Sequence, residues 1–490
     1  MLGACAKYSG RQSPHDEVTW LTQSESAYSL MPLCVFLEDI VVGTADNRER
    51  DERGVALEQL PSSLRGFVRF EQQGLWRPKK FRTAGADRSG IGPYLPECGA
   101  VFGLPCFRVG GVAVIGRAEV LQRFEESAVR VGSSGNRDVV FPVHPAALAQ
   151  GAELLARRLA GDALIHGHRW WATATSSVRT LLAWSEMESQ APCLVKLALG
   201  SSELGDRTLT LEKVAHSVGV SRCVETSLAR LPGDIRFFLE PLGLVPRWHP
   251  KGGVVLRTIP PEILSGRVLP MPLFALMGGC DGGVPVLLQW MQRTAIGARE
   301  LLEGVLLARF ARIWIDLVFD EGLILEAHAQ NLLLAVSAQL EPLGSFYYRD
   351  FEGMAVDWAL RRARGMPTPE LPQSCKWFDT YETWGYPLYQ LVSVKLMVSL
   401  FDYLNLVLGE LEAAVLEWQA QGRVTGRTLR AGELTGSFSG YLRQVIWEKF
   451  AVREESEYDV RHDLKRFVKF LLRVRREVMW AHGHVRGAGC

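Results

Sequence analysis

The sequence predicts a chain that mixes short strands with long helices, and three stretches carry this prediction. Residues 231–275 alternate short apolar segments with Pro and Gly turns, which is typical of successive β-strands. Residues 295–318 place apolar side chains at helical spacing. Beyond residue 353 the chain becomes mostly helical, with apolar-faced segments over 385–409 and 410–421. We therefore expect a sheet-containing part followed by a helical C-terminal part.

Length, charge and cysteine usage limit the classes of protein. At 490 residues the chain suits about three ordinary domains or one large composite domain, and its 47% hydrophobic residues are ample for a core. The formal net charge of +1 provides no global field for nucleic acid or an anionic membrane. The nine cysteines contain no C-x-x-C pair, which argues against disulfides or a zinc module and predicts a reducing cytoplasm. No apolar run is long enough to predict a membrane span.

One stretch suggests a nucleic-acid partner. Residues 210–222 have the small residue, the glycine and the apolar spacing of a DNA-binding helix-turn-helix. Its flanks are not strongly basic and the net charge is near zero, so we expect no nucleic-acid partner.

The most informative residues are a polar group in an apolar context. Glu326, His328 and Asn331 place a carboxylate, an imidazole and a carboxamide within six residues, and Asp350 adds a second carboxylate. Oxygen ligands of this kind suit Mg²⁺, which is usually shared with phosphate oxygens and water. Kinases use the same types of residue to hold metal and nucleotide.

The spacing of these residues predicts their local structure. Glu326 and Asn331 are five apart, so an undistorted helix would not aim both at one ion. We therefore place the glutamate and the histidine on an entering loop or strand end, with Asn331 opening an apolar helix over 332–340. A short strand over 346–348 would then deliver Asp350.

These residues resemble a known family. Glu-Ala-His-x-Gln-Asn at 326–331, followed by Arg-Asp-Phe-x-Gly at 349–353, is similar to the NRPS-independent siderophore synthetases, the aerobactin synthetase family. The alternative is an ordinary strand–helix unit with incidental polar residues. Further stretches between residues 75 and 470 resemble the family in chain order, as follows.

The family's His-Pro-x-x-Lys-x-Arg-x-Gly loop and Tyr-x-Pro-Glu motif have counterparts over 76–85 and 94–97. The Lys80/Arg82 pair is offset by one position, and Arg77 stands where the histidine is expected. A guanidinium stays protonated, so Arg77 could supply charge near a nucleotide but could not transfer a proton. A solvated basic loop explains the same residues.

The family's His-Pro-x-His-Pro motif is partly kept. Residues 139–143 read as a short strand that leads into His144, and Phe141 replaces the motif's first histidine. His144 is either a structural turn residue or part of the nucleotide site. An amphipathic helix is expected over 146–159.

Residues 173–180 resemble the family's Ser-x-Arg-Thr motif at Ser177, Arg179 and Thr180. Hydroxyl and backbone N–H groups in such a loop can cradle phosphate oxygens. Arg179 can pair with a phosphate or carboxylate through two hydrogen bonds.

Lys196 lies in the middle of an apolar strand over 193–199. Burying an unpaired ammonium is very unfavourable, so the lysine needs a partner, for which a nucleotide phosphate is the natural choice. The alternative is a surface-facing edge residue. Downstream, Arg207 corresponds to the arginine that is expected, from the resemblance, to bind the α-phosphate and the substrate carboxylate. Ser201 or Ser202 takes the place of the family's usual threonine, and the spacing to Arg207 is not a clean match.

The resemblance implies an α+β fold shaped as a cupped hand. A thumb-like N-terminal domain would span 1–160, a fingers-like nucleotide-binding domain 161–310, and a palm-like domain 311–490, with the metal site and the C-terminal helices. It also implies ATP and Mg²⁺ as cofactors. The metal ligands would be Glu326, Asn331 and Asp350. The nucleotide would be held by Ser177, Arg179, Thr180, Lys196, Arg207, His144 and Lys80. The catalytic residues would be Arg207, His328 and Lys196.

The activity implied is that of a bacterial, cytoplasmic ligase for siderophore biosynthesis and iron acquisition. It would adenylate a carboxylic acid, citrate or a citryl derivative, and join it to an amine or hydroxyl, releasing AMP and pyrophosphate. A kinase-like phosphotransferase and a non-catalytic paralogue stay open as alternatives. The expected partners are the small-molecule acid and amine, without nucleic acid or membrane, and a homodimer is left open.

Overall fold

The computed structural model describes most of the chain from residue 60 onward, and every structural statement below concerns these residues. They are 60, 62–73, 92–117, 119–120, 139–149, 170–185, 191–199, 201–202, 205–277, 279–280, 284–367, 392, 395–397, 400–401, 404, 415–423, 425, 433–454 and 463–487. The predictions for Arg77, Lys80 and Arg82, for 150–159 and for most of 385–409 lie outside them.

The described residues form nineteen strands. They are β1 Val101–Gly103, β2 Cys106–Val109, β3 Val112–Gly116, β4 Val139–Pro142, β5 Trp170–Ala174, β6 Thr180–Ser185, β7 Cys193–Leu197, β8 Ser201–Ser202, β9 Gly205–Asp206, β10 Ile235–Phe237, β11 Leu242–Pro246, β12 Val254–Arg257, β13 Leu269–Pro272, β14 Gly279–Cys280, β15 Val284–Pro285, β16 Leu323–Ile324, β17 Leu332–Val336, β18 Pro342–Tyr348 and β19 Ala355–Val356.

The same residues include ten α-helices with assigned bounds, two of which are joined by a π-helical turn, and further helical residues at 415–420. They are α1 Ser62–Glu71, α2 Pro145–Ala149, α3 Leu211–Ser227, α4 Pro261–Leu264, α5 Val286–Thr294, α6 Ala298–Leu302, α7 Ala308–Ile315, α8 Trp358–Ala363, α9 Glu433–Phe450 and α10 Leu464–Gly487. The π-helical turns are Glu303–Leu307 and Asp316–Asp320, so the helix predicted over 295–318 is confirmed as one helical run.

The larger sheet is antiparallel, with strand order β1-β5-β6-β7-β12-β11-β3. Lys196 on β7 lies opposite Thr180 on β6 and opposite Val255 on β12, in the middle of the sheet. Its side chain is only 2% exposed. The prediction of a buried strand lysine is therefore confirmed, and the alternative of an edge residue facing solvent is wrong.

The second sheet corrects one prediction. Its order is β10-β18-β17-β13, with β10 parallel to β18 and the other pairs antiparallel. The helix predicted over 332–340 is wrong, because Leu332–Val336 forms strand β17. Its five residues are all buried, and a short apolar run of this kind has no periodicity that separates a buried strand from a helix. The strand predicted over 346–348 is confirmed as the end of β18.

Helix α3 covers the stretch that resembled a helix-turn-helix. It is one helix of 17 residues that runs through Gly219 without a turn, capped by Thr210, whose side chain accepts from the Lys213 N–H. The helix packs closely on the larger sheet, since a Cβ at Gly243 on β11 would lie 2.1 Å from Val214. The turn of a helix-turn-helix is therefore absent from this described helix.

Helix α1 joins the two sheets. Leu64 and Phe67 on the helix share a buried cluster with Trp184 of the larger sheet and with Leu333 and Tyr347 of the second. This packing brings the β5–β6 turn and the middle of β7 towards the end of β18. The described chain thus mixes sheets and helices and ends in helices, as expected. Its described helices include none that combines the length and hydropathy of a membrane span. The three-domain division stays a prediction.

Candidate functional site

A cleft lies where the β5–β6 turn, the middle of β7 and the end of β18 meet. Its lining combines hydroxyls, amides, five cations and one carboxylate: Leu95, Pro96, Thr175, Ser176, Ser177, Val178, Arg179, Thr180, Lys196, Arg207, Arg257, Gln330, Asn331, Arg349 and Asp350. Seven residues predicted for the site are in this lining, namely Ser177, Arg179, Thr180, Lys196, Arg207, Asn331 and Asp350. Glu326, His328 and His144 lie close by but are not in the lining, and Lys80 is outside the described residues.

The Ser-x-Arg-Thr stretch is a tight turn between two buried strands. The Thr175 hydroxyl and N–H both donate to the Thr180 carbonyl, at 2.7 and 3.0 Å. The Thr180 N–H donates to the Ser177 carbonyl at 3.0 Å. The Arg179 carbonyl accepts from the Leu197 N–H of β7 at 2.8 Å. These bonds hold the turn against the strand that carries the buried lysine.

The ammonium of Lys196 pairs with two carboxylates. Its Nζ contacts Asp350 and lies 2.9 Å from Oε2 of Glu352. Burial alone would lower the pKa of this lysine, but Asp350 and Glu352 outweigh burial and raise it. The sequence predicted a phosphate as the partner of this ammonium. In the structure the carboxylates of Asp350 and Glu352 supply the negative charge that a buried ammonium requires.

Glu352 was missed by sequence reasoning, although it is the variable position of Arg-Asp-Phe-x-Gly. Its carboxylate lies 3.2 Å from Arg179, 2.9 Å from Lys196 and 3.9 Å from Lys213. Burial would raise its pKa, but Lys196 and Arg179 outweigh burial and lower the pKa to about 2. The sequence did contain a signal for Glu352, because it is an acidic residue only two positions after Asp350. Both carboxylates pair with Lys196.

Asp350 follows β18 in an unusual backbone conformation. Its φ is 79°, in the left-handed region that residues other than glycine rarely adopt. Nη2 of Arg257 lies 3.6 Å from its carboxylate, and Arg257 is itself held by buried Glu240, with 2.9 Å from Nε to Oε1. Burial would raise the pKa of Asp350, but Lys196, Arg257 and Arg179 hold it well below the usual range. The carboxylate therefore stays ionised.

The 326–331 loop enters from β16, as predicted. The Asn331 N–H donates to the His328 carbonyl at 2.9 Å, and the Asn331 amide reaches the Glu326 carbonyl at 3.5 Å. The Tyr348 hydroxyl accepts from the Glu326 N–H at 3.2 Å and donates to the Asp350 carbonyl at 3.4 Å. The backbones of Glu326 and Asp350 are thus linked through one phenol.

The Glu326 carboxylate has its own surroundings. It lies 3.0 Å from Nζ of Lys395 and against Gly353, where a Cβ would approach it to 1.7 Å. Lys395 was not predicted from the sequence, because it belongs to none of the motifs described above. Of the three residues predicted to hold Mg²⁺, Asn331 and Asp350 face the cleft, and Glu326 sits beside it.

The donor set is compatible with Mg²⁺ without forming a complete cage. Among the described residues there is no group of three or more His, Cys, Asp and Glu side chains placed for a metal. Mg²⁺ in nucleotide sites usually binds through one or two carboxylates, with phosphate oxygens and water as the remaining ligands. The carboxylate of Asp350 and the amide oxygen of Asn331 are suitable protein ligands of this kind.

Two histidines near the cleft are held by backbone groups. Nδ1 of His328 accepts from the Gln330 N–H at 3.2 Å. Nδ1 of His144 accepts from the Ala146 N–H at 3.1 Å, and its Nε2 lies 3.1 Å from the Val178 carbonyl. Burial lowers the pKa of His144 to about 4, so the neutral ring donates to Val178. His144 therefore supports the turn from beneath instead of lining the cleft.

Arg349 connects three segments around the cleft. It donates to Glu71 of α1 at 2.9 Å, to the Ser176 hydroxyl at 2.8 Å and to the Gln330 carbonyl at 2.8 Å. The Ser176 N–H also donates to Glu71, at 2.8 Å. Arg349 belongs to the quoted motif, whereas Glu71 has no local signal because its partners are far away in the chain.

No protein-family model matches the sequence, and a comparison of the sequence with curated proteins gives no match. Solved structures are similar in fold. One is the ATP-bound aerobactin synthetase IucA from a hypervirulent pathotype of Klebsiella pneumoniae, with a TM-score of 0.54 and 21% identity over 76% of this chain. Another is the petrobactin biosynthesis protein AsbB from Bacillus anthracis strain Sterne, with a TM-score of 0.55 and 18% identity over 80% of this chain.

The chain has the fold of the aerobactin and petrobactin synthetases. A second IucA structure, at a TM-score of 0.51 and 21% identity over 72% of this chain, agrees. The chain spans slightly less than two thirds of the length of these neighbours, 66%, 66% and 63%. The resemblance read from the motifs is therefore confirmed for the fold, including its α+β class.

Proposed function

We propose that this chain is an ATP-dependent carboxylate–amine ligase of the siderophore synthetase type. It adenylates a carboxylic acid, citrate or a citryl derivative, and joins it to an amine or hydroxyl, releasing AMP and pyrophosphate. One observation carries the proposal: in this fold, a single cleft gathers the Ser-x-Arg-Thr turn, buried Lys196, Arg207 and the Asn331–Asp350 pair.

Charge supports an anionic ligand in this cleft. Five cations line it, Arg179, Lys196, Arg207, Arg257 and Arg349, against one lining carboxylate, and glutamates outside the lining pair with four of the five. Hydroxyls and N–H groups of a tight turn beside such cations suit phosphate oxygens. ATP is bound in one structural neighbour, and we assign its phosphates here to the turn, Lys196 and Arg207.

The chemistry requires alignment and charge neutralisation. A carboxylate is a poor electrophile, because its charge repels nucleophiles and oxide is a poor leaving group. Attack of the carboxylate on the α-phosphorus forms an acyl-adenylate and expels pyrophosphate, and the amine then displaces AMP. Fixed cations in a partly buried cleft stabilise the charge that develops on the phosphate oxygens.

In this proposal Glu326, Asn331 and Asp350 hold Mg²⁺. The bound ion would neutralise charge on the polyphosphate. His328 and Arg207 meet the carboxylate substrate. Because Nδ1 of His328 accepts a backbone N–H, the neutral imidazole ring carries its proton on Nε2. A bacterial cytoplasm and a role in iron acquisition belong to the same proposal. The homodimer stays a prediction.

The test is a panel of di- and tricarboxylic acids and amines assayed with ATP and Mg²⁺ for AMP and pyrophosphate. Acid-dependent formation of both products, completed by an amide product, supports the proposal. ADP as the product would support the phosphotransferase instead. Absence of ATP binding would support the non-catalytic paralogue.

A further inference from the structure

One carboxylate holds together three cations at the edge of the cleft. Oε2 of Glu352 lies 2.9 Å from Nζ of Lys196 and 3.2 Å from Nη2 of Arg179. Its Oε1 lies 3.9 Å from Nζ of Lys213 on helix α3. Three positive groups from β7, from the β5–β6 turn and from α3 therefore converge on one side chain.

Two of these cations are the ones expected to bind phosphate. Lys196 and Arg179 both line the cleft, and both are almost buried, at 2% and 10% side-chain exposure. Their hydrogen-bonding capacity is directed in part at Glu352 and, for Lys196, also at Asp350. An incoming anion that binds these groups must compete with carboxylates that the protein already supplies.

Asp350 and Glu352 differ in how firmly they are held. Asp350 is fixed by a left-handed backbone and by Arg257 at 3.6 Å, in addition to Lys196. Glu352 has the longer side chain, with one more rotatable bond, while the two carboxylates are similarly exposed, at 22% and 28%. Rotation of its side chain could move its charge without a change of backbone.

We propose that Glu352 is an internal counter-anion that an anionic ligand must displace from Lys196 and Arg179, and that a divalent cation favours this exchange by accepting the released carboxylates. The identity of the anion as a polyphosphate rests on the proposed function. The exchange keeps every buried charge paired, because the two cations move to the phosphate while Glu352 and Asp350 face the metal ion.

The exchange predicts coupling between anion and metal. A bare polyphosphate must separate Glu352 from Lys196 and Arg179 and leave that carboxylate with only Lys213, at 3.9 Å, which opposes binding. A metal ion removes this penalty, so each ligand strengthens the binding of the other. The same carboxylate would thereby select a metal-complexed anion over a free one.

The test uses inorganic pyrophosphate, titrated calorimetrically into the full chain with and without Mg²⁺. In Glu352→Gln, metal-free pyrophosphate should bind about tenfold more tightly than in the wild type, as expected from one charge-assisted contact. The factor by which Mg²⁺ improves binding should fall correspondingly. Pyrophosphate and Mg²⁺ associate equally in solution for every variant, so the difference between variants reports the protein.

Glu212→Gln is the matched control. It removes one negative charge next to Lys213, but Glu212 is exposed in the first turn of α3 and should leave both titrations as in the wild type. Glu352→Asp retains the charge on a shorter side chain and should raise the metal-free affinity less than Glu352→Gln does. This variant provides the same comparison if Glu352→Gln fails to fold.

Unchanged or weaker metal-free affinity in the folded Glu352 variants overturns the proposal, as does equal strengthening in Glu212→Gln. Absence of pyrophosphate binding by the wild type in both conditions also overturns it. These outcomes are distinct from failure of the proposed function, because pyrophosphate binding requires no adenylation. A chain that binds pyrophosphate with this coupling and forms no AMP would retain the exchange and lose the ligase assignment.

Discussion

Arg349 and Glu71 form a buried ion pair, with 2.8 Å between Nη1 and Oε1, that ties the end of β18 to helix α1 across 278 positions of sequence. The side chains are 3% and 0% exposed. Because Arg349 also donates to Ser176 and Gln330, the pair joins the proposed phosphate-binding turn to the proposed metal loop. The two halves of the cleft are therefore held by one guanidinium.

Removing one partner of this pair should destabilise the fold. Glu71→Ala leaves a buried guanidinium uncompensated, which typically costs about 3–5 kcal/mol of unfolding free energy. Chemical denaturation measures the loss. Glu448→Gln is the control, because its pair with Arg312 is exposed and such pairs contribute little. Equal stability of Glu71→Ala and the wild type would show that the pair does not organise the cleft.

Lys196→Met should weaken ATP binding by at least about tenfold, because it removes one charge-assisted contact with phosphate. It also leaves Asp350 and Glu352 without their shared cation, so the unfolding free energy should fall as well. The two ion pairs of Lys196 with these carboxylates are the reason for the expected loss of stability. Calorimetric titration and denaturation test both effects, and unchanged affinity in a folded variant would contradict the assignment.

The low pKa of Glu352 predicts how stability depends on pH. In the folded protein its pKa is about 2, against an ordinary value of 4.5, so the stabilisation is present above about pH 4.5. It is lost progressively as the pH falls towards 2, where the folded protein takes up the proton. The difference in unfolding free energy between the wild type and Glu352→Gln should therefore shrink over this window. A difference that stays constant from pH 6 to pH 2 would contradict the ion pairs.

The proposed metal residues should act as a unit. Glu326→Gln and Asp350→Asn each remove a negative charge, and the double variant should be little worse than the more damaging single one. Raised Mg²⁺ should partly rescue Asn331→Ala, because mass action offsets a weakened site. The readout is pyrophosphate release, after circular dichroism confirms the fold. Additive losses would show that the three residues do not serve one ion.

Local sequence predicted the residues of the cleft better than their partners. An ammonium in an apolar strand is informative by itself, so Lys196 was correctly placed. The apolar run at 332–336 was not, because five consecutive buried residues have no periodicity that separates a strand from a helix. Its pairing with β18 and β13 decides the strand.

Partners distant in sequence could not be derived. Glu71 lies 278 positions from Arg349, and Glu240 lies behind Arg257 on a neighbouring segment. Neither glutamate stands in a pattern that marks it as buried. Glu352 had a signal, since it lies two positions after Asp350, but only the fold brings Arg179 and Lys213 to it.

The central claim, attack of a carboxylate on the α-phosphorus of ATP, is tested most directly by following an oxygen atom. The chain is incubated with ATP, Mg²⁺, a diamine and citrate labelled with ¹⁸O in its carboxylates, and AMP is examined by mass spectrometry. Adenylation predicts that AMP carries one carboxylate oxygen, because the carbon–oxygen bond breaks when the amine displaces AMP. Unlabelled AMP, or ADP together with labelled inorganic phosphate, would contradict the claim.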